Sequence, residues 1–218
     1  MRRINKTVIA VPAPAPEDPM CERIVAAAFQ AFMQNGYAGT STLEIATRAK
    51  VSKRDLYASF PDKQAILLAC IANRAARMRL PPDLPAPRSR AMLVSILTAF
   101  GATVVREVCQ PAVMAMFRLA ICEAERSPAV AATLDAGRSV NRDALAGLLA
   151  QAQAAGLLGP GDPRRMMEQF LALLWGDLMI RRLLGVAAAP KPAETATRAR
   201  AATQAFLRIY GAPMAEDS

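Results

Sequence analysis

Apolar residues recur along most of this chain with the spacing of one helix face. Between Ile24 and Phe32 they fall at i, i+3, i+4, i+7 and i+8, which predicts an amphipathic helix from about Met20 to Gln34. Asn35-Gly36 should end this helix, because glycine tolerates the left-handed backbone found at helix C-termini. No run of alternating β-branched residues favours a strand, so we expect an all-α protein.

Two short helices should follow, each opened by a serine. Ser41 precedes the second helix with Glu44 three residues later, and Ser52 precedes the third with Asp55 at the same distance. A hydroxyl followed by an acidic residue at this spacing is typical of a capping box. Apolar contacts of the second helix are expected from Leu43, Ile45 and Ala46.

The third helix should carry an apolar side and a polar side. Leu56 and Phe60 lie four residues apart and should face inward. Lys53, Arg54 and Tyr57 then lie together on the other side. A basic and hydroxyl-bearing face on the second helix of such a pair is typical of helix-turn-helix proteins, which insert it into the DNA major groove.

The remaining pattern predicts helices throughout and a division into an arm and two domains. Alternating Pro and Ala favour a disordered basic arm at residues 1–19. Four prolines between residues 81 and 87 separate a DNA-binding domain at 20–80 from a helical domain at 84–212. The later helices are expected near Lys63–Arg79, Ser89–Val108, Ala112–Glu125, Pro128–Ala155, Pro163–Gly185 and Pro192–Tyr210.

Charge narrows the class of partner. The chain of 218 residues has 27 Lys and Arg against 18 Asp and Glu, a net charge of +9. Residues 1–80 hold 12 of these basic residues but only 6 of the acidic ones, so the surplus is greatest around the helix pair. An excess of this kind suits an anionic partner, either nucleic acid or an anionic membrane surface.

Residues suited to metal binding or catalysis are few. The chain has no histidine, and its four cysteines form no Cys-x-x-Cys pair, so we expect neither a metal site nor a cofactor. The lack of histidine also weakens an enzymatic hypothesis. Buried free thiols are the default interpretation, with a redox pair of Cys109 and Cys122 as the alternative. The apolar run Phe170–Ile180 contains Asp177 and is too short for a membrane span, so a cytoplasmic protein is expected.

The helix pair itself has one structural alternative. Ala46 and Ala49 are small enough for two helices to cross closely, and Val51 could fill the gap at the turn. A hairpin inside an ordinary helical bundle would show the same small residues. Such a hairpin has no reason to gather Lys53, Arg54 and Tyr57 on one face, which favours the DNA-binding interpretation.

Residues 24–67 resemble the DNA-binding domain of the TetR/AcrR family of transcriptional regulators. The resemblance implies a homodimer with a C-terminal effector-binding and dimerisation domain. Departures are Lys50, where the family usually has glycine, Arg54-Asp55 in place of small or hydroxyl residues, and Ser59 in place of a larger side chain. The matching residues are Phe32, Gly36, Tyr37, Thr40, Ser41, Ile45, Ala46, Ala49, Val51, Ser52, Leu56, Tyr57, Phe60, Lys63 and Leu67.

Roles in DNA binding follow from this resemblance and from the chemistry of the side chains. Hydroxyls at the second helix's N-terminus suit a phosphate, and an arginine on the third helix can pair with guanine. Tyr57 and Lys63 resemble the family's phosphate contacts. Asp55 should cap its helix, or else accept from a cytosine amino group. The candidate DNA contacts are Thr40, Thr42, Lys50, Lys53, Arg54, Tyr57, Ser59 and Lys63.

The resemblance also implies roles for the second half. The last two helices, Pro163–Gly185 and Pro192–Tyr210, should pair across a two-fold axis, with Phe170, Leu174 and Leu178 as an apolar stripe. The alternative for this stripe is the chain's own core. An effector pocket, or ordinary core packing, is expected from Met92, Met114, Met116, Phe117, Met166, Phe170, Trp175 and Met179.

These patterns together predict a homodimeric, sequence-specific DNA-binding transcriptional regulator. We expect a repressor that a small apolar or amphipathic effector releases from a double-stranded DNA operator. Two alternatives come from other classes. One is an all-α enzyme with a basic surface, and the other is a helical interaction protein that does not bind DNA.

Overall fold

The computed structural model describes residues 18–78, 80–81, 84–125 and 128–212, and their regular structure is helical apart from one isolated bridge between Leu158 and Gly211. This confirms the all-α prediction. The predicted arm, residues 1–19, lies outside the described residues except for its last two. The helices are α1 (Pro19–Gly39), α2 (Thr42–Ala49), α3 (Lys53–Ser59), α4 (Lys63–Ala76), α5 (Arg90–Val108), α6 (Pro111–Glu123), α7 (Pro128–Ala154), α8 (Pro163–Trp175), α9 (Leu178–Leu183) and α10 (Pro192–Tyr210).

The described chain forms two compact units, with one boundary at the end of α4 and two inside α6 and α7. The first unit runs as far as Ala76 and also takes in Ala115–Ser139. The second takes in Arg77–Met114 and the described residues from Val140 onward. The sequence pattern predicted a boundary at the prolines after α4. The first unit therefore includes parts of α6 and α7 that the sequence assigned to the second domain.

The first unit has a continuous apolar core. Ile24, Phe32, Ile45, Leu56 and Leu67 are at most 2% exposed and belong to one buried cluster. These side chains come from four helices, and α1 packs against both α2 and α4. Because α2 and α3 have only 8 and 7 residues, this shared core stabilises helices that would be marginal in isolation.

Glycine ends the first helix as the sequence predicted. Gly36 has φ 73° and ψ 172°, a backbone that residues with a Cβ rarely adopt. The chain changes direction there and makes one further helical turn to Gly39. Lys63 holds this turn in place, since its ammonium donates to the Tyr37 carbonyl at 2.8 Å and to the Thr40 carbonyl at 3.0 Å.

The second unit is built on α5, α8 and α10. Phe170 of α8 and Phe206 of α10 meet edge to face, with ring centroids 5.6 Å apart. The hydroxyls of Thr98 and Thr203 are 3.2 Å apart across α5 and α10. A Cβ on Gly101 would lie 3.2 Å from Leu174 Cδ1, so glycine lets α5 approach α8 closely.

Two expectations for this unit are wrong. The predicted helix Pro163–Gly185 is interrupted at Gly176, whose φ of 48° and ψ of −127° end α8, while Arg198 donates to the carbonyls of Leu174 and Trp175 at 3.2 and 3.3 Å. The stripe proposed for the dimer interface is core: Phe170 and Leu174 are 0% exposed and Leu178 is 8% exposed. These side chains fill the unit's own interior, as the alternative held.

Helix α5 is the one helix within the described ranges that is long and apolar enough, by length and composition alone, to cross a membrane. Its apolar residues include Leu93, Leu97 and Val105, which are 0% exposed. It packs against α10 and α8. We therefore interpret α5 as the central helix of the second unit's core.

Candidate nucleic-acid interface

Helices α2 and α3 form a helix pair joined by a tight turn. Ile45, Ala46 and Ala49 of α2 and Leu56 of α3 are buried on the facing sides. The Val51 amide donates to the Ala46 carbonyl at 3.0 Å and closes the turn. Small residues at the crossing let the two helices approach, as the sequence predicted, so the pair is a rigid platform for the residues on its outer side.

Both predicted serine caps are present. Ser41 Oγ accepts from the Glu44 amide at 3.1 Å, and Ser52 Oγ accepts from the Asp55 amide at 3.0 Å. The Ser52 hydroxyl also lies 2.7 Å from Asp55 Oδ2, so this carboxylate serves the cap. The Glu44 carboxylate instead pairs with Arg48 at 2.8 Å. Each cap satisfies one amide that helix geometry leaves without an internal partner.

Lys50 occupies the left-handed position of the turn. Its φ is 55° and its ψ is 46°, and it is the one residue other than glycine with a positive φ in the described chain. Its amide donates back to the carbonyls of Ala46 and Thr47. A side chain in this conformation costs about 1–2 kcal/mol. The exposed ammonium beside α3 is the feature that a glycine in this place would lack.

The outward face of α3 is basic and exposed. Lys53, Arg54 and Ala58 are exposed, and the Tyr57 side chain is 44% exposed. The Lys53 ammonium lies 5.9 Å from the centre of the Tyr57 ring. Sequence reasoning missed Ala58, although it lies four residues after Arg54 on the same face. A methyl group at this position can contact a thymine methyl in the major groove.

Tyr57 also connects the two helices at their outer edge. Its hydroxyl lies 3.0 Å from the hydroxyl of Thr42, which is the first residue of α2. Two hydroxyls therefore lie together at the N-terminus of α2, where helix geometry leaves the first amides without an internal partner. Amides and hydroxyls at a helix N-terminus are a favourable site for a phosphate.

Thr40 and Lys63 turn inward. Thr40 is 2% exposed, and its hydroxyl donates to the Gly36 carbonyl at 2.7 Å. The Lys63 ammonium lies 4.4 Å from the centre of the Tyr37 ring in addition to its two carbonyl contacts. Both side chains stabilise the connection between α1 and α2. They set the position of the α2 N-terminus, and we leave them out of the proposed set of direct contacts.

Two further residues differ from their expected surroundings. Leu43 was expected to contribute apolar contacts but is 62% exposed, because it lies on the outer side of α2. Ser59 is half-buried, and its hydroxyl donates to the Asp55 carbonyl of its own helix at 3.1 Å. The surface of the helix pair therefore centres on α3 and the start of α2.

The residues proposed for an effector pocket lie in both units. Phe117 belongs to the first, where the Arg138 guanidinium lies 5.7 Å from its ring. Met116 also belongs to the first unit, and the others belong to the second. Met114, Met166 and Phe170 are at most 1% exposed, Met116 is 3% exposed, and Met92, Trp175 and Met179 are half-buried. Their shared role as a pocket stays a prediction.

The cysteines show no sign of a redox pair. Cys109 and Cys122 lie near opposite ends of α6, whose 13 residues span about 20 Å, too far for a disulfide within the chain. Burial raises the pKa of the Cys109 thiol, although the Arg182 guanidinium acts in the other direction. Burial also raises the pKa of Cys70, to about 12. No group of metal-binding side chains occurs among the described residues.

Two family models match the chain and together account for most of its length. Residues 24–70 match the DNA-binding part of the bacterial regulatory proteins of the tetR family. Residues 95–212 match the C-terminal domain of AefR-like transcriptional repressors, more than half of the chain. No curated protein matches the chain at a significant level.

Solved structures agree with these matches over nearly the whole chain. A TetR transcriptional regulator from Agrobacterium tumefaciens is 26% identical, with a TM-score of 0.76 over 89% of this chain and 96% of that one. The flavonoid-responsive regulator FrrA is 29% identical, with a TM-score of 0.72 over 90% and 98%. GusR of Salmonella enterica is 28% identical, with a TM-score of 0.61 over 87% and 96%. The chain therefore belongs to the TetR family, whose members are non-enzymatic, DNA-binding transcriptional regulators.

Proposed function

We propose that the protein is a cytoplasmic homodimeric repressor that binds a palindromic operator and leaves it when a small amphipathic effector binds. The observation that carries this proposal is the outward face of α3, where Lys53, Arg54 and Tyr57 lie exposed on a helix capped and packed for rigidity. The similarity of the second half to AefR-like transcriptional repressors supports the sign of regulation.

On DNA, α3 enters the major groove and the start of α2 lies against the backbone. Arg54 pairs with guanine O6 and N7, and Lys53 contacts an adjacent base edge. Thr42 and Tyr57 hold one phosphate between them, while the exposed Lys50 adds charge beside the groove. Because these contacts displace counterions, affinity for the operator falls steeply as salt rises.

The dimer forms through the exposed sides of α8 and α10. A groove beside these helices is lined by Leu173 of α8 and by Glu194, Arg198, Ala201 and Ala205 of α10. Leu173 is 38% exposed, which makes it a large apolar side chain at the surface of α8. Small residues on α10 let a second copy approach closely, so the occupant proposed for this groove is the same helix pair of a second chain.

The effector is proposed to be a small molecule with an apolar, partly aromatic body. FrrA, which is 29% identical over most of the chain, is described as flavonoid-responsive. Methionine-rich surroundings adapt to flat and irregular apolar shapes. The effector releases the operator only if it binds the DNA-incompetent arrangement more tightly than the competent one.

Footprinting and gel shifts on DNA flanking the protein's own coding region test the proposal. We expect one protected palindrome, since operator symmetry mirrors the symmetry of the dimer. Arg54→Ala should weaken binding by about 1–3 kcal/mol and relax base preference at one position in each half-site. Arg88→Ala is the control, because it removes the same charge from an exposed position outside the helix pair.

Three outcomes would count against the proposal. An Arg54→Ala variant that keeps the affinity and base preference of the wild type would remove α3 from the interface. Unchanged operator affinity at saturating concentrations of flavonoids and related aromatic compounds would contradict the proposed effector class. A monomer in solution that protects an asymmetric site would contradict the dimer.

A further inference from the structure

Parts of α6 and α7 belong to the core of the DNA-binding unit. Met116 and Ala120 of α6 and Val130 and Leu134 of α7 are at most 9% exposed. They lie in the same buried cluster as the apolar side chains of α1 and α4. The helix-turn-helix is therefore supported by residues 115–139 as well as by the helices that surround it in sequence.

One contact in this unit is closer than a side chain would allow. A Cβ added at Gly137 of α7 would overlap Cγ2 of Ile71 in α4. Ile71 is 4% exposed and β-branched, so its side chain has little freedom to rotate away. Gly137 is thus the residue that lets α7 lie directly against α4.

Helix α7 is continuous on both sides of the unit boundary. It runs without a break for 27 residues from Pro128 to Ala154. Its later residues Leu145, Leu149 and Ala152 are 0% exposed and belong to the second unit. Gly137 lies in the part of α7 that belongs to the first unit, so its contact with α4 is internal to that unit.

At the other side of this contact, α4 determines where the helix-turn-helix lies. Ile66 and Leu67 of α4 are 0% exposed in the shared core. Lys63, in its first turn, holds the connection before α2 through two carbonyls. A shift of α4 must therefore move α1, α2 and α3 with it or break these contacts.

We infer that Gly137 is a positioning residue for DNA binding, and that its contact with Ile71 is where α7 sets the position of α4 and of the recognition helix. The inference rests on the proposed function and adds to it a residue that positions the recognition helix.

Gly137→Ala and Gly147→Ala provide a matched pair on the same helix. A Cβ at Gly147 would meet nothing within 4 Å, and alanine favours a helix over glycine. Gly147→Ala should therefore keep wild-type affinity for the footprinted operator. Gly137→Ala should bind that operator about fivefold or more weakly without effector, because the added methyl displaces α4.

Half-site spacing separates positioning from a loss of folding. If Gly137→Ala moves the recognition helices, its loss of affinity should be smaller on an operator with one base pair added or removed between half-sites. A variant that is merely less well folded would lose affinity equally on every spacing. Thermal unfolding of each variant, measured in parallel, reports the folded fraction.

Ile71→Leu supplies the rescue. Leucine conserves volume but has no Cγ2, so the double variant removes the overlapping group. We expect Gly137→Ala with Ile71→Leu to recover most of the operator affinity that Gly137→Ala loses. This holds even if Gly137→Ala alone folds poorly, since the double variant relieves the same clash.

The outcomes distinguish this inference from the function on which it rests. A wild-type protein that protects no DNA would overturn the proposed function. A wild type that binds its operator while Gly137→Ala binds it equally well would overturn the inference alone. A double variant no better than Gly137→Ala, or an equal loss on all spacings, would also overturn it.

Discussion

At the scale of single residues, the structure separates polar side chains that serve the fold from those that face outward. The side chains of Thr40 and Lys63 donate hydrogen bonds to backbone carbonyls within the first unit. Lys53 and Arg54 are exposed on α3. The two groups are alike in composition, so burial and hydrogen-bond partners decide which of them can meet DNA.

Lys50 should be a site where glycine stabilises the protein. Its left-handed backbone is strained for any residue with a Cβ. We expect Lys50→Gly to be more stable than Lys50→Ala by about 1 kcal/mol, because both remove the charge and only glycine removes the strain. Urea unfolding midpoints with equal m-values check this difference. Equal midpoints for the two variants would show that the turn is unstrained.

At the scale of helices, interruptions come from single residues with unusual backbones. Gly36 ends the regular part of α1, and Gly176 separates α8 from α9. Both breaks leave carbonyls that need partners. Lys63 donates to carbonyls after the break at Gly36, and Arg198 donates to carbonyls before the break at Gly176. Each cation therefore links an interrupted helix to its neighbour.

Replacing Lys63 should therefore destabilise the helix arrangement as well as weaken DNA binding. Lys63→Met keeps much of the aliphatic stem but leaves the Tyr37 and Thr40 carbonyls without the ammonium. We expect a loss of about 1–3 kcal/mol in the free energy of unfolding. Lys53→Met is the control, since that exposed lysine should affect DNA affinity with little change in stability. Equal stability of the two variants would contradict the linking role of Lys63.

At the scale of the whole molecule, DNA recognition depends on the second copy that the proposal places on α8 and α10. The residues expected at this interface from sequence, Phe170 and Leu174, are instead buried within the protomer. The exposed side of the same helix carries Leu173, which lines the groove beside α10. Helix α8 thus buries most of its large apolar side chains in the protomer's core and leaves Leu173 for the proposed partner.

Leu173→Glu should produce a folded monomer with weak operator affinity. A carboxylate in the proposed interface would be taken out of water in both copies, which is strongly unfavourable. Light scattering after size exclusion measures the oligomeric state, and gel shifts measure binding. Ile121→Glu is the control, because Ile121 is an exposed apolar residue of the first unit outside the groove. A Leu173→Glu variant that stays dimeric would place the interface elsewhere.

The sequence by itself determined the all-α class, the helix pair and its caps. These depend on local rules: periodic apolar residues, serine before a helix and glycine after one act over a few positions. The same rules identified Lys53, Arg54 and Tyr57 as one face of α3. Side chains on a short helix keep their angular order whatever the rest of the chain does.

Only the tertiary structure decided which side of a helix is core and which polar groups have partners. Leu43 was expected to be buried and is exposed, whereas Phe170 was expected at an interface and is buried in the core. Periodicity identifies the apolar face of a helix but does not show which element packs against that face. The contact of Gly137 with Ile71 joins residues far apart in the chain, and no local pattern marks it. The distance between two packed helices depends on all of the side-chain contacts between them. These contacts form only when the whole chain folds, so a short stretch of sequence does not reveal them.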